Sequence, residues 1–391
     1  MEIKSFKFDD NKSNWHLEET RFERLNLFVG ISAVGKTRIL QALSLVRDVA
    51  TDDDYRLDGT EWMIRFAHNE KEYEWILKSS LIKDESTQKT FETFKISRKA
   101  RIVYEKLTDL SDDAVIFERN QDSLEWHDSE VIPKLKKTES IITIFPEEEV
   151  IVPIREAFNY MIFLRTGEYS SISFSDKLDI DNITMRDKKG KSLKKRKPLN
   201  FKEFKRISAK LPMPLKTFFL QKFHQKEFKH IKQEFTDIFP VVKELKINRI
   251  RKAGEYRLFL SIKEHGSNDW IHQNQLSSGM FSTFLHLIEI HLAPEGAVIL
   301  IDEFENSLGI NCMPSTADFI NEYSANLQFI VTSHHPYIIN EISWKSWKIV
   351  KRKGGRVRVI NSTDIPELET TSTLEKYVRL INLPVYEDGI G

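Results

Sequence analysis

Three kinds of apolar pattern divide this chain. The apolar run Leu25–Val29 reads as a strand, and the continuously apolar Ala297–Ile301 as a buried parallel strand. Alternating runs at Trp62–Ala67 and Glu72–Lys78 read as a hairpin around His68–Lys71, with Phe91–Ile96 and Arg101–Glu105 as further strands of an antiparallel subdomain. Glu2–Phe8 and Trp15–Leu17 read as opening strands, and Lys243–Arg251 with Tyr256–Lys263 as a second hairpin. Trp347–Val350 and Val357–Ile360, turning at Gly354-Gly355, read as a third. Helical spacing marks Arg38–Val46, Met280–Leu292 and Ser372–Leu383, and less regularly Glu139–Phe145 and Val150–Phe163. Phe201–Phe239 reads as short helices broken at Pro212 and Pro214. Gly167–Asn200 is polar and turn-rich, a loop. The chain has no internal repeat and no heptad run long enough for a coiled-coil arm.

The strand Leu25–Val29 runs into Gly30-Ile31-Ser32-Ala33-Val34-Gly35-Lys36-Thr37, followed by Arg38 and a helix. Strand, glycine-bounded loop and helix start form the context of a phosphate-binding loop of the form G-x-x-x-x-G-K-T. Amides and dipole at the helix start favour β- and γ-phosphates, and the glycines allow an approach that a Cβ would block. Lys36 would supply a positive charge near those phosphates, and the Thr37 hydroxyl a ligand for Mg²⁺. The distal run ends in Asp302 and Glu303. Carboxylates at the end of a buried strand are rarely packing residues, because charge is costly to bury without a cation or partner. Asp302 is placed to hold Mg²⁺, and Glu303 to orient or deprotonate an attacking water. Loop and carboxylates together make an ATP site, and more than half the chain lies between them, so a large segment is inserted between two halves of one nucleotide-binding fold.

Two more segments narrow the class. Gln275-Leu276-Ser277-Ser278-Gly279-Met280 precedes a long apolar helix. Glu305-Asn306-Ser307-Leu308-Gly309 and Phe329-Ile330-Val331-Thr332-Ser333-His334-His335-Pro336 follow the carboxylate strand. With these, the chain resembles ABC-type ATPase heads of the OLD, RecF and SMC-like branch. LSSGM resembles the signature, VILIDE the Walker B strand, ENSLG the D-loop and TSHHP the switch-histidine loop, in the family's order. The specific motifs fall in residues 1–50 and 270–350. The resemblance implies an α/β fold, a mixed sheet flanked by helices with an antiparallel β subdomain and a basic, helical insert. It implies division into 1–165 (first half of the head), 166–240 (insert) and 241–391 (second half). It also implies that Ser277, Ser278 and Gly279 bind the γ-phosphate of an ATP held by a second protomer. His334 rather than His335 would sense that phosphate, and Ser307 and Leu308 would lie across the dimer seam. Two ATP molecules would sit between head-to-tail subunits, binding closing the dimer and hydrolysis opening it.

The chain departs from the family at several places. Ala33 and Val34 stand where relatives carry glycine and a small polar residue, Ser278 stands for the signature's second glycine, and Met280 for glutamine. Neither Gln88 nor Gln121 sits in the context of a Q-loop. Trp15 lies where a base-stacking residue would, and equally where a first hairpin places a core tryptophan. Taken alone, Ser277 or Ser278 is an ordinary helix N-cap.

Composition sets the remaining bounds. Among 391 residues, 59 basic and 59 acidic side chains leave a formal net charge of zero. The lone Cys312 excludes an internal disulfide and suits a reducing cytoplasm. No signal peptide or membrane-length apolar run is present, which argues against a membrane protein and a transport-coupled ATPase. The cations cluster nonetheless: Lys188, Lys189, Lys191, Lys194, Lys195, Arg196 and Lys197, continued by Lys202, Lys205, Arg206 and Lys210. Such a stretch would track nucleic-acid phosphates, dock an acidic partner, or simply be solvated. OLD-type nucleases carry a TOPRIM domain after the head, but the stretch after Lys345 is shorter than the roughly 100 residues such a domain needs. The expectation is therefore an ATPase with no nuclease of its own, working as a homodimer or larger oligomer with a separate effector, a nuclease or toxin. In this it resembles ATPase subunits of anti-phage systems such as PARIS and Septu. The alternative is a RecF- or SMC-like ATPase of DNA repair.

Overall fold

A computed structural model describes residues 1–51, 55–81, 100–126, 129–131, 135–164, 173–174, 200–209, 211–252, 255–305, 313–369 and 373–382. Phe91–Ile96, the Lys188–Lys197 cluster, Lys210, Ser307, Leu308, Cys312 and Gln88 lie outside them. The contacts divide the chain into two units. One comprises Met1–Met161, Gly296–Leu300 and Gln328–Gly391; the other comprises Ile162–Glu295 and Ile301–Leu327.

The first unit contains β1 (Glu2–Asp10), β2 (Trp15–Arg21), β3 (Leu25–Val29), α1 (Lys36–Thr51), β4 (Thr60–His68), β5 (Lys71–Ser79), β6 (Ile102–Asp109), β7 (Ala114–Arg119), β8 (Leu124–Trp126), β9 (Ser129–Val131), α2 (Ile141–Ile144) and α3 (Val152–Asn159). The chain then passes through β10 (Met161–Leu164) into the second unit. That unit holds β11 (Ser173–Phe174), α4 (Phe201–Ser208), α5 (Met213–Phe223), α6 (Gln225–Ile238), β12 (Val242–Lys252), β13 (Glu255–Glu264), β14 (Ile271–His272) and α7 (Ser278–Leu292). After it come β15 (Val298–Ile301), α8 (Met313–Tyr323), β16 (Gln328–Thr332), α9 (Pro336–Glu341), β17 (Trp347–Lys353), β18 (Arg356–Asn361) and α10 (Thr373–Asn382).

In the first unit the strand order runs β15-β16-β3-β17-β18-β2-β1-β4-β5-β6-β7-β8-β9. β3 is parallel to β16 on one side and to β17 on the other, with Phe28 opposite both Thr332 and Lys348. Every residue of β3 and of β16 is buried; most are apolar, and the polar Asn26 and Gln328 are satisfied by hydrogen bonds to neighbouring backbone. From β1 outward the sheet is antiparallel, and burial alternates along β4 and β5. The two halves join where Arg356 and Val357 of β18 pair in parallel with His16 and Leu17 of β2. The antiparallel region expected beside the core is thus the continuation of one mixed sheet flanked by helices, the α/β class the sequence implied. α3 covers the antiparallel part through Phe158, whose ring lies 5.1 Å from Phe66 and 5.5 Å from Trp75.

One buried carboxylate ties this region together. Glu105, fully buried on β6, accepts from Arg119 Nη2 (2.6 Å), Trp75 Nε1 (3.1 Å), the Ser140 hydroxyl and the Ile141 amide (3.0 Å). Glu105→Ala would leave the nearly buried Arg119 guanidinium without its counter-charge. Removing one partner of a buried pair costs about 3–5 kcal/mol, so urea unfolding should show a loss of that size. Arg119→Met in the same protein should recover part of it, because no buried charge then remains.

The second unit packs α5, α6 and α7 against the β12–β13 hairpin around Phe204, Leu220, Phe235, Phe284 and Ile288. Two local expectations need correction. The helix expected over Val150–Phe163 stops at Asn159, and Met161–Leu164 is a strand; a four-residue apolar run carries no period that separates the two. Pro214 does not break a helix but sits in the first turn of α5, where no amide hydrogen is needed, and Pro212 supplies the position before it. Among the described residues no helix is long and apolar enough to cross a membrane.

Candidate functional site

The phosphate loop joins β3 to α1. Gly30, Ala33 and Gly35 have φ of +149°, +67° and +109°. A Cβ on Gly30 would lie 2.9 Å from the Val350 carbonyl oxygen, a backbone atom that cannot yield, so glycine is required there. Val34 is buried and faces Gly30, which accounts for an apolar residue where a small polar one was expected. Ser32 and Ala33 are exposed at the tip, and Ile31, Lys36, Thr37 and Arg38 are half-buried. Lys36 Nζ reaches back over the loop to the carbonyls of Gly30 (2.7 Å) and Ile31 (3.0 Å). Helix hydrogen bonding begins with the Ile39 amide on the Gly35 carbonyl, so the loop leads straight into the amides of the first turn. Backbone nest, lysine and helix start fit a polyphosphate.

Side chains from the first hairpin and from β17 support this loop. Trp15 is 1 % exposed and packs beneath Gly35, and the Arg38 guanidinium carbon stands 4.8 Å over its ring. Of the two readings of Trp15, the core one holds; its faces are not open to a base. Arg38 itself is bound by Asp10 (2.6 Å) and the Ser13 hydroxyl, which fastens α1 to the first hairpin. Arg352, at the end of β17, donates to the Ala33 carbonyl at 3.4 Å. It stands in the Lys351-Arg352-Lys353 run between the two expected hairpin strands.

At the same end of the sheet, Ser333 continues the β16 ladder by donating its amide to the Phe28 carbonyl at 3.2 Å. His335 caps α9, its Nδ1 accepting from the Tyr337 amide at 3.2 Å, whereas His334 is exposed ahead of the helix. In the second unit, Ser277 is the N-cap of α7, its Oγ accepting from the Met280 amide at 3.2 Å. Ser278 is exposed and Gly279 buried at the head of the helix. Asp302 is half-buried and follows the last residue of β15; Glu303, next to it, is exposed with φ of +46°. A glutamate in the left-handed region stores strain, and such residues cluster where function demands a fixed geometry.

The family profile described as "AAA domain, putative AbiEii toxin, Type IV TA system" matches residues 25–340. The chain belongs to this AAA-domain family. It is therefore a nucleotide-binding ATPase domain of the AAA type. No curated protein matches it. Among solved structures it is similar to an Smc head domain with an extended coiled coil bound to the C-terminal domain of ScpA, from Pyrococcus furiosus. That match has 16% identity and TM-score 0.47, covering 97% of this chain and 98% of the other. It is similar also to an Smc head bound to the C-winged helix domain of ScpA (15% identity, TM-score 0.45, 92% and 97% covered). A third is the SMC head domain from Thermotoga maritima (12% identity, TM-score 0.37, 92% and 99% covered).

In this AAA domain the loop-tip alanine has a measurable cost. An alanine in the left-handed region costs about 1–2 kcal/mol, part of which glycine would return through its freer unfolded chain. Ala33→Gly should therefore stabilise the protein by about 0.5–1 kcal/mol in thermal unfolding, because the exposed Ala33 methyl packs on little.

Proposed function

We propose that this ATPase domain is a switch that closes head-to-tail around ATP, opens on hydrolysis and controls a separate effector, a nuclease or toxin, in bacterial anti-phage defence. The observation that carries the reading is the Gly30–Thr37 loop, with its positive-φ positions and Lys36 spanning it. In this reading Gly30–Arg38 hold the phosphates of ATP, with Thr37 and Asp302 as ligands for Mg²⁺, which would neutralise charge on them. Glu303 positions or deprotonates the attacking water. His334 senses the γ-phosphate, a role left to it because His335 is committed to capping α9. Ser277–Gly279 contact the ATP of the second protomer through the start of α7.

The effector half of the reading draws support from the family's own description, which names a toxin and a toxin–antitoxin system. One α4 cation, Lys205, weakens the case for a DNA clamp. Lys202 is paired with Glu295 at 3.1 Å, and Lys205 lies 5.2 Å from the Phe201 ring with its pKa lowered by burial. Lys205 is thereby withdrawn from a phosphate track, whereas Lys202, 85 % exposed, is held only by a surface ion pair. The Glu303→Gln protein, purified from its native host in ATP and Mg²⁺, tests the proposal. A stoichiometric protein partner that is a nuclease or toxin is expected. Bound DNA without a protein partner would replace this reading with a repair ATPase.

A further inference from the structure

We propose that His230, Glu234 and His291 form a zinc site that staples α6 to the last turn of α7, at the opposite end of that helix from Ser277–Gly279. All three residues lie in the second unit, apart from the residues assigned to the nucleotide. His230 and Glu234 are four residues apart on α6 and so share one face. His291 comes from the last turn of α7. One donor atom from each of the three lies within 4.8 Å of the others. His291 Nε2 is 2.6 Å from one Glu234 oxygen, and His230 Nε2 is 3.2 Å from the other. Zinc takes imidazole nitrogen and carboxylate oxygen at about 2.0–2.2 Å in a tetrahedron, which sets its ligand atoms about 3.3 Å apart. His230 Nε2 stands at about that spacing from one carboxylate oxygen and His291 Nε2 closer to the other, so binding needs the Glu234 carboxylate to turn one oxygen toward both nitrogens.

The surroundings are those of a metal ligand rather than of a chance ion pair. The Tyr323 hydroxyl of α8 lies 3.3 Å from His291 Nδ1. A histidine that gives its Nδ1 hydrogen to such an oxygen presents the Nε2 lone pair to a metal, the usual outer-shell arrangement. The Phe319 and Tyr323 rings, 5.2 and 5.4 Å from that of His291, wall the inner side, while exposed His230 leaves the outer side open to an arriving ion. Two imidazoles and one carboxylate suit zinc. Magnesium prefers an all-oxygen octahedron and would not compete.

The full chain dialysed against Zn²⁺ in excess Mg²⁺, with metal counted by mass spectrometry, tests this. Titration with Co²⁺ in place of zinc reports coordination through its visible absorption. One zinc per chain and a four-coordinate cobalt spectrum are expected, both lost in His230→Ala and Glu234→Gln and kept in His265→Ala, which alters an exposed turn. Tyr323→Phe should weaken zinc by about tenfold or more, as losses of outer-shell partners do. Zinc should raise the melting temperature of the natural protein and not that of His230→Ala, since an ion that binds only the folded state stabilises it. His230 is exposed, so that variant keeps its core. No stoichiometric uptake, or uptake undiminished in His230→Ala, overturns the proposal.

Discussion

Glu303→Gln is expected to bind ATP as the natural protein does, to lose about 10²–10⁴ of its turnover, and to accumulate as a closed dimer. Glutamine keeps the size and the hydrogen-bonding reach of glutamate but cannot take a proton. The backbone at this position, with φ of +46°, is equally strained for both residues, so the substitution adds no backbone strain. Only the step that activates water is removed. Since hydrolysis is what opens the proposed dimer, blocking it shifts the population toward the closed state by as much as ATP favours that state. Phosphate release measures the first effect, and sedimentation with and without ATP the second. Normal turnover would move the water-activating role to another carboxylate, Glu305, two residues on, being the first candidate. Slow turnover without dimer would keep the catalytic assignment and remove the sandwich.

The sequence made the elements of the site legible because each has a strong local signal. Leu25–Val29 is bounded by a charged stretch and by the glycine of the phosphate loop, and that context, not the short run itself, marks it as a strand. The hairpins of β4–β5, β12–β13 and β17–β18 announce themselves by alternation and by their turns. What pattern could not supply was long-range partnership. Nothing local in Arg356-Val357 says that it pairs with His16-Leu17 and so joins the parallel and antiparallel regions. Nor does an isolated glutamate on a strand disclose that Glu105 gathers donors from β5, β7 and the start of α2. The same limit hid Arg352 beside Ala33, and the cluster of His230, Glu234 and His291, whose members lie on two helices far apart in sequence. Motif reading finds residues that chemistry forces into a fixed spacing; it misses those that folding alone brings together.

Lys36→Ala is expected to lower ATP affinity by about a thousandfold while leaving the fold intact. A single charge pair at about 4 Å near a protein surface is worth about 4 kcal/mol, and each 1.4 kcal/mol is tenfold in affinity. Lys36 is half-buried, and its ammonium rests on the carbonyls of Gly30 and Ile31, groups at the mouth of the loop rather than in the core. Its truncation exposes those carbonyls to water instead of burying them unpaired, so melting should move little. Lys36→Arg is the sharper companion. It keeps the charge but replaces a compact ammonium by a broad planar fork in a loop whose walls are backbone, and so should also bind poorly. Fluorescent-nucleotide titration measures both. With affinity lost in both variants and melting unchanged, charge and shape act together at Lys36, as a phosphate cradle requires. Unchanged affinity in Lys36→Ala would reduce Gly30–Thr37 to a structural turn and take the ATP site away from this end of the sheet.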